Sequence, residues 1–170
     1  MNRFKKIPPE QIDRVLERIG KEWMLISSGD AQSANTMTAS WGCMGVLWNR
    51  PVAVCFIRPQ RYTYTFTETH DRLSLAFFNG GYREALTLCG RSSGRDGDKF
   101  ERAALTKCIS EEGVPYPGEA SMVLICKKLY ADDLKKASFL DPALLSNYPI
   151  DDFHRVYVCE IEQVLCAQDP

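Results

Sequence analysis

The sequence lacks the loops and motifs that several large enzyme classes require. Dinucleotide-binding folds need a Gly-rich turn between a strand and a helix, but here Gly90, Gly94 and Gly97 follow a predicted helix. Neither a Walker-type Gly-Lys-Ser/Thr nor a Gly-x-Ser-x-Gly sequence occurs. With only two histidines in the chain, few residues could act as the base of a serine hydrolase. These absences point to small-molecule binding by another kind of site.

The seven cysteines form no zinc or disulfide pattern. They are odd in number and include no Cys-x-x-Cys pair, and neither His70 nor His154 lies at ligand spacing from any of them. We therefore expect no metal site, and free thiols of the kind that persist in a reducing compartment.

Strong charge of one sign and long apolar runs are also missing. The formal net charge is -1, which predicts no general attraction to nucleic acid or to anionic lipid. The longest apolar runs, near residues 41–48 and 52–57, are far shorter than the roughly 20 residues that cross a bilayer. The segment Pro8-Pro9-Glu10 is unlike a signal-peptide core. We expect a cytoplasmic protein without nucleic-acid or membrane partners.

Hydrophobic periodicity predicts one mainly β domain over residues 1–170, with a few short helices. An antiparallel barrel suits many strands separated by turns better than a doubly wound sheet does. Strands are predicted at 23–27, 35–41, 52–57, 73–78, 107–109, 120–130 and 155–166. Helices are predicted at 82–88, closed by Gly90, and at 99–105.

Two segments carry less simple patterns. Ile12, Val15, Leu16 and Ile19 have helical spacing and predict an amphipathic helix from Pro8 to Gly20. Residues 61–70 alternate Tyr, Phe and Thr, which favours a strand by propensity, although a helix after Pro59 is also compatible.

Cations and hydroxyl groups collect where the strand 52–57 ends. Arg58, Arg61, Tyr62 and Thr63 follow it directly, and the strand 35–41 offers small polar residues on one face. Guanidinium groups bind phosphate with matching geometry, so this region is a candidate cradle for a phosphate monoester that carries a planar ring.

Each of these features also has a structural explanation. The arginines could be solvated strand ends, and Thr36, Thr38 and Ser40 could be ordinary β-formers. Tryptophans such as Trp41 are most often core residues. The loop 93–98 could serve simply to cap a helix, through Asp96 or Asp98. His154 could be a strand-edge residue with no chemical role.

In combination, the motifs resemble the flavin reductase-like family of FMN-binding split barrels, and most of all its flavoredoxin branch. The resemblance extends from the N-terminal helix to the last strand. Its motifs are Asn35-Thr36-Met37-Thr38-Ala39-Ser40-Trp41, Arg58-Pro59-x-Arg61-Tyr62-Thr63, Ser93-Gly94-Arg95-Asp96-x-Asp98-Lys99-Phe100 and Asp152-x-His154. One departure is Cys159, where the family commonly has glycine; it concerns local packing only.

The resemblance implies a six-stranded antiparallel split β-barrel, an intertwined homodimer and bound FMN. Residues Thr36, Met37, Thr38, Ala39, Ser40 and Trp41 would then line its isoalloxazine ring, and Asn35 would also bind the cofactor. Arg58, Arg61, Tyr62 and Thr63 would hold its phosphate. Lys99 would approach the polar edge of the flavin, and His154 would lie on the nicotinamide or substrate side.

The function implied by the resemblance is NAD(P)H:flavin oxidoreduction, with hydride passing from a nicotinamide to flavin N5. Such an enzyme could serve a monooxygenase or another redox protein. An alternative is a flavoredoxin-like electron carrier that exchanges electrons with a protein partner. A third possibility is a barrel that binds flavin without turnover.

Overall fold

Alternating and continuous apolar segments form the ten strands of the computed structural model, which describes residues 3–168. The strands are β1 (Phe4–Ile7), β2 (Met24–Gly29), β3 (Ala34–Ala39), β4 (Gly42–Leu47), β5 (Arg50–Ile57), β6 (Arg72–Phe77), β7 (Lys107–Ile109), β8 (Pro115–Pro117), β9 (Met122–Asp133) and β10 (Arg155–Ala167). The α-helices are α1 (Val15–Glu17), α2 (Tyr62–Thr69), α3 (Arg83–Arg91) and α4 (Lys99–Arg102). Short 3₁₀ segments lie at Pro9–Gln11, Gly94–Asp96, Lys136–Ser138 and Pro142–Asn147, and a π turn at Arg18–Glu22.

The main sheet curls into a barrel that stays open along one seam. Its strands follow the order β3-β2-β6-β9-β10-β5-β4, all neighbours antiparallel, and β1 pairs with β10. The two ends of this order, β3 and β4, are joined in the chain by Ser40 and Trp41 alone, so the sheet must bend until its edges meet. Within residues 3–168 no hydrogen-bonded ladder closes that seam. The predicted split barrel is confirmed, with eight strands in the sheet rather than six.

Side chains of opposite parity fill two cores on the two faces of the sheet. On β2, Ile26 points into the barrel interior and Leu25 into the layer between the sheet and helices α3 and α4. Strand β9 is buried on both faces from Met122 to Cys126, as its continuous apolar sequence predicts. Burying one such aliphatic side chain contributes roughly 1.5–3 kcal/mol, so the sheet centre is a rigid base for the loops at its ends.

The cysteines are free, as expected. Cys159, the departure from the family pattern, is buried in the barrel interior together with Cys55. The neighbouring Cys159 thiol and burial raise the pKa of the Cys55 thiol well above its usual value. The interior therefore holds neutral thiols that act as small apolar side chains.

The single amphipathic helix predicted from Pro8 to Gly20 is wrong. Arg14 adopts a left-handed conformation with φ of 50°, which breaks the segment into a 3₁₀ turn, the short helix α1 and a π turn. Ile12, Val15 and Ile19 still pack against the barrel, but the break turns Leu16 away, leaving it 89% exposed.

Tertiary contacts decide the ambiguous segment 61–70, which forms helix α2. Thr63 and Thr67 are one helical turn apart, and both are fully buried where α2 packs against β2 and β3. Helix α3 continues through Gly90 instead of ending there, and the strands β1, β4 and β8 were not predicted. Over residues 3–168 no helix is both long and apolar enough to cross a bilayer.

Candidate functional site

Pairing of β5 with β10 brings together residues from distant parts of the chain. Arg155 pairs with Ile57, so the preceding His154 lies beside Arg58 at one end of the barrel. The end of β3 and the Ser40-Trp41 link meet them there, and together they line a cleft of about 220 Å³. The lining residues are Met37, Thr38, Ala39, Ser40, Trp41, Phe56, Arg58 and His154. Five of the six residues predicted to line the flavin ring therefore share one cleft with His154.

A second group of predicted residues meets at the end of helix α3. The guanidinium of Arg61 donates to the carbonyl oxygens of Gly90 (2.8 Å) and Cys89 (3.2 Å). Lys99 Nζ donates to the same Cys89 oxygen at 2.9 Å, and Lys99 is only 3% exposed. Cations at a helix C-terminus satisfy its free carbonyls and its dipole. This contact explains part of the arrangement without any ligand.

The helix end does not compensate the two charges fully. Burial, and then the nearby Arg61 guanidinium, lower the pKa of Lys99 to about 8. Burial also lowers the pKa of Arg61. Within residues 3–168 no carboxylate forms an ion pair with either side chain, and only neutral carbonyls accept their hydrogen bonds. A buried cation beside a partly buried one is unfavourable without an anion, so an anion could bind to the pair.

The loop 93–98 closes tightly around this pair. Gly94 approaches so closely that a Cβ there would lie 2.0 Å from Asn35 Oδ1 and 2.9 Å from the Tyr62 ring. Asn35 in turn donates to Thr63 Oγ1 at 2.8 Å. Asp98, not Asp96, caps helix α4 through the N–H of Phe100 at 2.8 Å and so fixes the start of the helix that carries Lys99.

Helix α2 begins next to the cation pair without a side-chain cap. Its N-cap is Arg61, whose side chain turns to helix α3 instead of bonding the first N–H groups of α2. Tyr62, the first helical residue, lies under the guanidinium of Arg95, whose Cζ is 4.7 Å from the ring centroid. Free N–H groups at a helix N-terminus favour anions, as the neighbouring cations do.

The threonine hydroxyls of β3 are engaged within the protein. Thr36 Oγ1 accepts from Ser27 Oγ at 2.9 Å and lies 3.3 Å from the Ile26 carbonyl, its acceptor. The hydroxyl of Thr38 donates to the Leu86 carbonyl of helix α3. Thr36 is thus an interior strand residue whose hydroxyl is engaged by protein groups. Thr38 lines the cleft and also contacts Gly90, whose carbonyl accepts from Arg61. Thr38 therefore links the cleft to the cation pair.

Arg58 has a different environment from Arg61. Its Nη1 forms an ion pair with Asp152 Oδ2 at 2.5 Å, and its Nη2 donates to the Asn147 carbonyl at 2.8 Å. The guanidinium also lies over the Tyr148 ring, with Cζ 5.2 Å from the centroid. Arg58 borders the cleft, but its charge is compensated by protein groups, so the two predicted phosphate ligands are not equivalent.

His154 is an uncharged wall of the cleft. Its ring centroid is 5.2 Å from that of Trp41 and 6.3 Å from that of Phe56. Its Nδ1 is 2.8 Å from the Tyr148 hydroxyl. Burial, and secondarily the Arg58 charge, lower the pKa of His154 to about 4. The side chain is therefore neutral at physiological pH and can donate or accept a hydrogen bond, but it is not a ready proton source.

Sequence reasoning missed three residues of the site. Phe56 has outward parity between the buried Cys55 and Ile57, and that alternation could have placed it on the cleft side. Arg95 belongs to the motif Ser93–Phe100, but the sequence predicted no role for it. Tyr148 lies in an irregular segment, where no periodic signal could indicate its contact with His154.

Comparison with protein families now identifies this arrangement. Residues 16–170 match the family model described as flavin reductase like domain. The chain belongs to the flavin reductase-like domain family. The match covers both residue groups, so the cleft and the cation pair are parts of a flavin reductase-like domain. The family predicted from the sequence is confirmed.

Solved structures of the same fold share little sequence with this flavin reductase-like chain. The flavoredoxin of Desulfovibrio vulgaris (Miyazaki F) is 21% identical with a TM-score of 0.67, over 86% of this chain and 69% of that one. An FMN-binding domain of a flavin reductases-like enzyme from Shewanella baltica is 14% identical with a TM-score of 0.70, over 96% and 77%. An NADH:FAD oxidoreductase of Streptomyces globisporus is 14% identical with a TM-score of 0.63, over 86% and 81%. No curated protein matches the chain.

The pKa of His154 predicts a specific pH dependence of stability. In the unfolded chain the pKa is near 6.5, so protons bind to the unfolded state first as the pH falls, and stability decreases from about pH 6.5 towards pH 4. Between pH 7 and pH 5, the wild type should lose about 2 kcal/mol more free energy of unfolding than a His154→Gln variant. Urea unfolding of both proteins at the two pH values measures this difference. Equal losses would show that His154 titrates normally in the folded state.

Proposed function

We propose that this chain is an FMN-binding oxidoreductase, and that it reduces flavin with NAD(P)H. The observation that carries the proposal is the pair of the buried Lys99 and the partly buried Arg61, neither of which has an acidic partner in the described chain. The pair lies next to the uncapped start of α2 and is linked through Thr38 to a narrow cleft of small residues. Membership of the flavin reductase-like domain family supports the same ligand.

The phosphate of FMN fits the cation pair better than it fits Arg58. Arg61, Lys99 and the first N–H groups of α2 offer positive charge and donors that the protein leaves uncompensated. Arg58 already has a carboxylate partner in Asp152. We therefore place Lys99 with the phosphate rather than at the polar edge of the ring, because it shares its acceptor with Arg61.

The flavin ring fits the cleft at the other end of β3. A strand rises about 3.3 Å per residue, so Asn35, beside the cation site, and Thr38, in the cleft, are about 10 Å apart. A ribityl chain can span such a distance. Ala39 and Ser40 have small side chains, which allow a flat ring to approach the backbone. Because β3 pairs only with β2 in the described sheet, its other edge has backbone groups for a polar ring edge.

Bound FMN would supply a ring that accepts a hydride from a nicotinamide and passes the electrons on. The residues of the chain orient the two rings and restrict water. Trp41, which is 46% exposed, and the neutral His154 form the wall against which a second planar ligand would stack. None of these side chains is required as a nucleophile.

An electron carrier without efficient use of NAD(P)H is the second candidate. The exposed Trp41 at the mouth of the cleft favours it, because a protein partner could approach the flavin there. The flavoredoxin of Desulfovibrio vulgaris has the same fold. A monooxygenase or another redox protein as partner, and cytoplasmic location, remain predictions from the sequence. So does the single domain over residues 1–170, of which 1, 2, 169 and 170 lie outside the described residues.

Substitution of the two arginines separates their roles. Arg61→Ala should weaken FMN binding by about 1.5–3 kcal/mol, the scale of a charge-assisted hydrogen bond. Arg58→Ala should weaken it by less than about 1 kcal/mol, since its charge is compensated. Fluorescence titration with FMN measures both, and Arg72→Ala, which removes an arginine paired with Glu162, is the control. Equal FMN affinity in the wild type and Arg61→Ala would show that the phosphate lies elsewhere.

Absorption spectroscopy tests the function itself. The purified protein, loaded with FMN, should be yellow and should bleach within seconds of mixing with NADPH or NADH under anaerobic conditions. Bleaching only by a reduced protein donor would support the electron carrier instead. A protein that stays colourless after incubation with excess FMN would contradict both candidates.

A homodimer is a further part of the proposal. The hairpin of β4 and β5 presents Val46 (78% exposed), Leu47 (41%) and Trp48 (56%), an apolar patch that a second copy would cover. Sedimentation equilibrium at micromolar concentration should give twice the chain mass of 19.3 kDa. A Val46→Asp substitution should shift the equilibrium towards the monomer, and a monomeric wild type would contradict the dimer.

A further inference from the structure

A buried tyrosine stands behind the cleft, in contact with its one histidine. The Tyr148 hydroxyl is 2.8 Å from His154 Nδ1, and both residues are more than nine-tenths buried. Tyr148 directly follows the 3₁₀ turn Pro142–Asn147, which belongs to none of the strands of the barrel. Its side chain contacts two residues that line the cleft, His154 through the hydroxyl and Arg58 through the ring.

Several groups hold the Tyr148 ring in place. Phe153 stacks on it with centroids 4.8 Å apart, and Phe139 packs at 5.8 Å. The Arg58 guanidinium lies 5.2 Å from its centroid and is itself fixed by Asp152 and by the carbonyl of Asn147, the residue before Tyr148. Asp152 also accepts from Gln60 at 2.6 Å. The tyrosine hydroxyl is thus presented to the histidine by a preorganised support.

The chemistry of the two groups sets the direction of their hydrogen bond. A neutral imidazole has one N–H donor and one nitrogen acceptor, and its neighbours select which nitrogen carries the hydrogen. A phenol is a stronger acid than a neutral imidazole N–H, and an imidazole nitrogen is a stronger base than a phenol oxygen. Tyr148 therefore donates to Nδ1, and the hydrogen of His154 resides on Nε2.

We propose that Tyr148 is a positioning residue that fixes His154 as its Nε2–H tautomer. His154 then offers one hydrogen-bond donor to a carbonyl oxygen of the planar ligand that stacks beside Trp41, such as the carboxamide of a nicotinamide. The identity of that ligand rests on the proposed function. In this role Arg58 and Asp152 serve the support of Tyr148 rather than the phosphate.

The charges around His154 agree with this assignment. The groups that bear on its ring are Arg58 from the end of β5, Asp152 from the preceding loop and the neutral Tyr148 hydroxyl. Arg58 pairs with Asp152 Oδ2, and within residues 3–168 neither carboxylate oxygen of Asp152 is hydrogen-bonded to the imidazole. The group that donates to His154 Nδ1 is therefore the Tyr148 hydroxyl and not a carboxyl group.

Nitrogen-15 NMR of the histidine-labelled, FMN-loaded protein tests the tautomer. The His154 signals, assigned by their loss in His154→Gln, should show a protonated Nε2 and an unprotonated Nδ1 at pH 7. Tyr148→Phe, which keeps the ring and its packing, should shift both signals towards the average of mixed tautomers. A protonated Nδ1 in the wild type would overturn the proposal.

Titration with NAD⁺, which binds without being consumed, tests the donor. It should move the His154 Nε2–H resonance of the wild type, and Tyr148→Phe should bind NAD⁺ at least fivefold more weakly while its FMN affinity stays within twofold. Tyr130→Phe, which alters a tyrosine that is 49% exposed, is the matched control and should bind as the wild type does. Equal NAD⁺ affinity in the wild type and Tyr148→Phe would overturn the role of His154 as donor.

The two proposals fail in different ways. A flavin-loaded wild type that NAD(P)H cannot bleach would contradict the reductase function, although the tautomer would still be visible by NMR. A rapidly bleached protein with a protonated Nδ1 would contradict only the role of Tyr148.

If Tyr148→Phe did not fold, two variants of His154 would test the donor instead. His154→Gln, which keeps an N–H donor, should retain more NAD⁺ affinity than His154→Leu. Equal affinities would overturn the role of His154 as a hydrogen-bond donor.

Discussion

Two positive charges beside one helix end, one buried and one partly buried, are the constraint around which this barrel is arranged. Arg61 and Lys99 come from segments almost forty residues apart, and they share the carbonyl oxygen of Cys89. Keeping both there requires the loop 93–98, the cap at Asp98 and the close contact of Gly94 with Asn35. A helix dipole offsets part of the cost, but not the desolvation of two cations. An anion would offset the remainder, and this connects the packing of the fold with the proposed phosphate site.

The two arginines of one motif illustrate why residue type alone does not assign a role. Both follow strand β5, three positions apart, and both are partly buried. Arg58 meets a carboxylate from the segment before β10, whereas Arg61 meets only carbonyls from α3. The first is thereby a structural support and the second an open cation. Only the tertiary neighbours distinguish them, because an identical guanidinium can satisfy either environment.

The barrel could be predicted from the sequence because local hydrophobic patterns mark its strands. The continuous apolar run of β9 and the alternation in β3 specify strands whatever their partners are. The same local reasoning failed at the N-terminal segment, where one left-handed residue, Arg14, changes which side chains face the core. It could not decide residues 61–70 either, since Thr63 and Thr67 become buried only when α2 lies on β2 and β3. Motif resemblance predicted one site for Asn35–Trp41 and His154, and Met37–Trp41 do share a cleft with His154. The contact of His154 with Tyr148 joins segments without periodicity and required the structure.

The seam of the barrel has a consequence for how such a fold can vary. The two edges of the sheet are tied by Ser40 and Trp41, which are also part of the wall of the cleft. The length of the Ser40-Trp41 link therefore sets the width of the cleft. Inserting or deleting residues at this single point would resize the chamber without disturbing the register of any strand. A fold of this kind can therefore come to bind larger or smaller ligands through changes in one short link.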